Sequence, residues 1–115
     1  MDLVSEAGAV NAHRGEVGLV VDGQTRTLCL TLGALAEIES YFGAGHLAEL
    51  DRCLAHPGTR DLIAILGALL RGGGNDMSDE AVAASVIDLP EATAAISRAF
   101  GLAGFGARPA GGETP

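Results

Sequence analysis

The sequence predicts an α+β domain, mainly α, in which an N-terminal β-hairpin packs on a bundle of four to five short helices. Two stretches near its start alternate apolar residues with polar or small ones, the period of a half-buried strand. Beyond them, apolar side chains recur at helical spacing in segments punctuated by capping residues, glycine and proline. The length of 115 residues supports one core; with 48% apolar residues but only 3% aromatics, that core must be built from Leu, Val, Ile and Ala.

Residues 1–13 are small and weakly patterned and read as a flexible N-terminal arm. The two strand-like runs, Glu16–Asp22 and Thr25–Thr31, flank Gly23-Gln24. With Gly23 in the first central position of a type II′ turn, Val17 faces Leu30 and Leu19 faces Leu28 on one surface. Glu16, Gly18, Thr25, Thr27 and Cys29 then share the opposite face with Val20. A lone hairpin is marginal in water, so its apolar face needs a cover.

The next segment supplies one. Thr31 is a candidate N-cap for a helix from Leu32 to Phe42, with Leu32, Leu35, Ile38 and Phe42 on one side and Glu37, Glu39 and Ser40 mostly opposite. Gly43 is placed to end it in the left-handed conformation. A short helix is predicted over His46–Leu54, presenting Leu47, Leu50 and Leu54 before His56-Pro57-Gly58 breaks the chain. From Arg60 to Arg71, with Thr59 as N-cap, Leu62, Ile63, Ile65, Leu66, Leu69 and Leu70 cover more than one stripe. That pattern marks the central helix, ended by Gly72-Gly73-Gly74. Ser78 caps a helix opening with Asp79 and Glu80, whose apolar set is Val82, Val86 and Ile87. Asp88 and Glu91 have the spacing of a capping box for a last helix, Leu89–Phe100, with Pro90 in its first turn. Residues 14–101 therefore read as one globular domain, and residues 102–115, rich in Gly, Ala and Pro, as a disordered tail.

Charge narrows the partners. Fifteen acidic residues against seven basic ones, all arginine, leave a formal net charge of −8. Nucleic-acid binding needs clustered positive charge, and none exists, so no nucleic-acid partner is expected. The same field opposes anionic lipid, and no run approaches the ~20 apolar residues of a membrane span. The N-terminus carries Asp2 and Glu6 where a signal peptide has positive charge, so the expected location is the cytoplasm.

No pattern of catalytic residues stands out, and no enzyme activity, cofactor or metal is expected. His13, His46 and His56 are scattered without zinc spacing. Cys29 and Cys53 lack a CxxC partner and read as buried reduced thiols. Asp76, Asp79 and Glu80 lack the ligand series of a calcium loop and fit helix-cap electrostatics. Gly72-Gly73-Gly74 has neither the preceding strand nor the following Lys-Ser/Thr of a phosphate loop. It reads as a flexible connection with Gly72 as C-cap, or as a place where Arg71 and Gly72 let a partner's backbone approach closely.

A combination of short segments carries a family resemblance. Arg14-Gly-Glu-Val, Asp22-Gly, Leu30-Thr-Leu-Gly-Ala-Leu-Ala-Glu-Ile-Glu39 and Phe42-Gly43 resemble the opening of small gene-transfer-agent family proteins encoded among tail genes. Asp61-Leu-Ile-Ala-Ile-Leu66, Leu70-Arg-Gly-Gly-Gly74 and Ser78-Asp-Glu80 continue the likeness in order, which spans Arg14 to Ile87. Members have been labelled phage tail tube proteins, but the resemblance implies a tail-assembly chaperone. Such a protein coats the tape measure protein, hands it to tail tube subunits and is absent from the mature particle. A tube subunit needs several strands to close a sheet, and the sequence offers two.

Candidate anchors for the tape measure are Val86, Ile96 and Phe100, as an exposed apolar stripe on the C-terminal helices; the alternative is that they are ordinary core. The chain could also be retained in the tail as a tube or connector part, form a homo-oligomer, or act as a small adaptor pairing through the free edge of its hairpin.

Overall fold

The computed structural model describes residues 10–43, 45, 49, 52 and 54–104. Two strands, β1 (Glu16–Val21) and β2 (Gln24–Cys29), pair as one antiparallel hairpin. Among the described residues four helices with defined bounds follow: α1 (Leu32–Phe42), α2 (Thr59–Gly72), α3 (Asp79–Ala83) and α4 (Leu89–Leu102). The predicted α+β, mainly helical class is the observed one. Most of the helix predicted over His46–Leu54 lies outside the described residues.

The chain enters the hairpin through one 3₁₀ turn, Ala12–Arg14, capped by Asn11 Oδ1, which accepts from His13 N–H at 3.0 Å. The hairpin turn is Asp22-Gly23, one residue earlier than predicted. Both residues have positive φ, 52° and 81°, the signature of a type I′ turn. Val17 therefore opposes Leu28, Leu19 opposes Arg26 and Val21 opposes Gln24, correcting the Val17–Leu30 and Leu19–Leu28 pairs. The shift is by two residues, so every side chain keeps its face. Val17, Leu19, Val21 and Leu28 are buried on the inner side, as the alternation requires.

The helices divide that inner face between them. α2 packs under β2 and α4 under β1, while α1 and α3 lie against α2. Seven consecutive residues of α2, Ala64 to Leu70, are buried, confirming it as the central helix. Its cap differs by one position: Gly58 is the N-cap, Thr59 is already helical, and Asp61 Oδ2 accepts from Gly58 N–H at 2.8 Å. Its C-cap also differs by one, Gly73 where Gly72 was expected, while the N-caps of the other helices are as predicted. Thr31 Oγ1, Ser78 Oγ and Asp88 Oδ2 accept from the backbone N–H of Ala34, Ala81 and Glu91, and Gly43 closes α1 with φ 69°.

Two predicted apolar positions turn outward. Leu32, the first residue of α1, is 86% exposed, and α1 is buried instead through Ala34 and Ile38. α3 stops at Ala83, so Val86 lies beyond its end and is 77% exposed.

The glycine run is a packed seam. Gly72 is the last residue of α2 and Gly73 its C-cap. A Cβ on Gly72 would run into the Cys29 carbonyl, and one on Gly73 into the Thr27 carbonyl. Asn75 locks the same seam: its Nδ2 donates to Thr27 O at 2.7 Å and to Leu70 O at 3.0 Å. The close backbone approach foreseen at Gly72 is made by this chain's own β2.

Arg26 stands on the inner side of β2, and its Nε is buried without a hydrogen-bond partner. An unsatisfied buried donor costs about 1–3 kcal/mol. Arg26→Met keeps the aliphatic stem and removes that donor, and is expected to raise stability by about 1 kcal/mol in urea unfolding. A fall in stability would show that the guanidinium has a compensating interaction.

Candidate partner-binding surface

Arg71, on the last turn of α2, is the most connected charged side chain among the described residues. Its Nη2 donates to Glu37 Oε1 on α1 at 2.6 Å and its Nε to the same oxygen at 3.2 Å. Its Nη1 donates to Met77 O at 2.8 Å and pairs with Asp79 Oδ1 at 3.1 Å. One guanidinium thus fastens α1, α2, the following loop and the start of α3. The bond to Glu37 is the main cause that holds its pKa above the ordinary arginine value.

Two carboxylates therefore do more than the sequence indicated. Glu37, read as part of a solvated face, joins this network, and Asp79 is both a first-turn acid and an Arg71 partner. Gly67 makes room for it, because a Cβ there would collide with the Asp79 carboxylate. A glycine four residues before Arg71, inside an otherwise strong helix, was the available signal.

The five candidate partner-binding residues do not form one surface. Arg71 is turned to internal ion pairs, and Gly72 is packed on β2. Phe100 is only 8% exposed and belongs to the core, with Ile96 partly buried against it. Val86 alone of the five is widely exposed, so the continuous Val86–Ile96–Phe100 stripe is not present. Val86 is held in place by two bonds: Asp22 N–H donates to its carbonyl at 3.0 Å and its own N–H donates to Asp22 Oδ1 at 2.7 Å. Leu89, 56% exposed, follows close behind at the start of α4.

A groove of about 420 Å³ runs between β1 and α4, with Gly18, Val20 and Thr25 on the hairpin side and Glu91, Ala94 and Arg98 on the helix side. No sequence pattern pointed to it, because its two walls are seventy residues apart in the chain.

Side chains with chemical potential are quiet. Cys29 is a free, half-buried thiol whose pKa is raised by burial first and by Glu16 second, which disfavours the reactive thiolate. Tyr41 donates to Asp61 Oδ1 at 2.9 Å, and that bond raises its pKa. Among the described residues no group of three His, Cys, Asp or Glu side chains could hold a metal ion, and no helix is long and apolar enough to cross a membrane.

No curated protein and no solved structure matches the chain at a significant level. A family model does, and its match begins at Arg14, where the 3₁₀ turn leads into the hairpin, and runs past the end of α4. With residues 14–106 matched, the chain belongs to the family described as phage tail tube protein, GTA-gp10.

Proposed function

We propose that this phage-tail-related protein is a non-enzymatic tail-assembly chaperone that binds the tape measure protein and helps to recruit tail tube subunits. The observation that carries the reading is the strand inventory. Among the described residues the only strands are the two of the hairpin, and the α2 glycine seam packs on β2 at Thr27 and Cys29. A tube subunit has to contribute several strands to a sheet that closes around a ring. A small helical protein with an exposed apolar spot at Val86 and Leu89 suits transient contact with a long helical partner better. Its place of action would be the cytoplasm of the host cell.

The second reading, a tube or connector part retained in the particle, is favoured by the family's own description as a tail tube protein. Quantitative mass spectrometry of purified particles separates the two. The chaperone reading expects this chain to be nearly absent, and a fixed stoichiometry comparable to that of the tube would overturn it. Co-expression supplies a second arm: the tape measure protein is expected to gain solubility with this chain, and Val86→Asp to remove the gain while the helical circular dichroism is retained.

A further inference from the structure

The two edges of the hairpin are treated differently. On β2, Thr27 O accepts from Asn75 Nδ2, Cys29 O accepts from Thr31 N–H, and Gly73 lies against the strand. On β1, among the described residues, backbone hydrogen bonds close only the ends. Glu16 N–H donates to Asn11 O at 3.1 Å and Asp22 N–H to Val86 O at 3.0 Å, both away from β2. Ladder groups alternate along an antiparallel strand, so Gly18 and Val20, between those two points, aim their N–H and C=O outward as well. Neither has a partner among the described residues.

This open stretch is one wall of the groove, and α4 is the other. The direction of the two walls follows from the Asp22–Val86 bonds. β1 ends at the tip beside Val86, and α4 begins three residues after Val86, so β1 and α4 run antiparallel. Val20 therefore lies toward Glu91, and Gly18 toward Arg98. Neither Glu91 nor Arg98 has an ion-pair partner among the described residues. Ala94 between them keeps the helix surface low.

We propose that a second copy of this chain docks on this groove, antiparallel, about a two-fold axis at Leu19. That symmetry sets Gly18 opposite Val20 of the partner subunit, where each can exchange N–H···O bonds, and Glu91 opposite Arg98 of the partner subunit, twice over. The edge carries its own countercharge in the order a two-fold needs. Asn11 and Val86 confine backbone pairing to Gly18–Val20, so the strands meet in a short crossing and the two charge pairs set the register. The proposal holds whichever tail component the chain serves.

Sedimentation equilibrium of the full chain tests it. The wild type is expected to show a concentration-dependent monomer–dimer equilibrium. E91R and R98E, each placing like charges opposite one another at both ends, are expected to raise the dissociation constant at least ~10-fold. The E91R/R98E double variant restores opposite charges and is expected to return to within ~3-fold of wild type, a recovery that mere misfolding of the single variants would not give. Val20→Pro removes an edge donor and should weaken the dimer while leaving the helical circular dichroism intact. A wild type that stays monomeric, as it would with a foreign peptide as the true occupant, overturns the proposal. So do single variants that dimerise normally, or a double variant that fails to recover.

Discussion

Gly73→Ala is expected to lower the folding free energy by about 3 kcal/mol or more, a large share of the 5–15 kcal/mol typical of a domain. The new methyl would have to occupy the position of the Thr27 carbonyl, which is backbone and cannot rotate away. Relief requires α2 to lift off β2. That movement would also pull Asn75 from Thr27 O and loosen Leu69 and Leu70 in the core. Gly74→Ala is the control: φ is 95° there but no atom lies near the added Cβ, so only the left-handed backbone resists, at about 1 kcal/mol. Urea unfolding followed by circular dichroism measures both, because the chain has no tryptophan. Equal losses at the two positions would mean that α2 and β2 do not meet at the seam.

Leu69→Ala should cost about 3 kcal/mol, within the 2.7–5.0 kcal/mol range of buried leucine truncations. Leu69 is fully buried near the C-terminal end of α2, among residues contributed by the hairpin and the other helices. With no tryptophan and Phe100 the one aromatic in the buried cluster, few large side chains are available to slide into the hole. Leu32→Ala removes the same atoms from a site that is 86% exposed and is expected to stay within about 0.5 kcal/mol of wild type. The contrast between two leucines separates burial from composition. A midpoint shift at Leu69 no larger than at Leu32 would contradict the central position of α2.

Local chemistry was the legible part of this fold. Thr31, Gly43, Ser78 and Asp88 announce helix ends because a cap is made by a residue and neighbours within a few positions, and all four act as their types require. The hairpin register was harder for a definite reason. Moving the turn from Gly23-Gln24 to Asp22-Gly23 slides the strands by two and leaves the apolar face unchanged, so alternation cannot distinguish the two registers. Only the Asp-Gly pair, suited to two successive positive φ values, could decide it.

The surface was less legible than the core. Helical spacing put Leu32 on the packed side of its helix and left Val86 open between an exposed stripe and the core, because spacing does not tell where a neighbouring element ends; both are exposed. Arg71 showed its charge in the sequence but not its partners Glu37 and Asp79, which reach it from other elements. Gly72 and Gly73 illustrate the limit from the other side. A missing side chain permits close approach, but only the fold reveals that the approaching strand is β2.

The division of the hairpin between α2 and α4 also sets an order of events. β1 leaves the ribosome before any of these helices, whereas α4, which covers it, is the last of the four to emerge. Val17, Leu19 and Val21 therefore wait, without their final cover, until residues 89–102 have emerged. Contacts spanning that much of the chain close late, so the hairpin gains its full cover only once α4 has emerged. A polypeptide cut short before α4 would keep the central helix but expose one half of its sheet, and would be a substrate for quality control instead of a smaller working version of the protein.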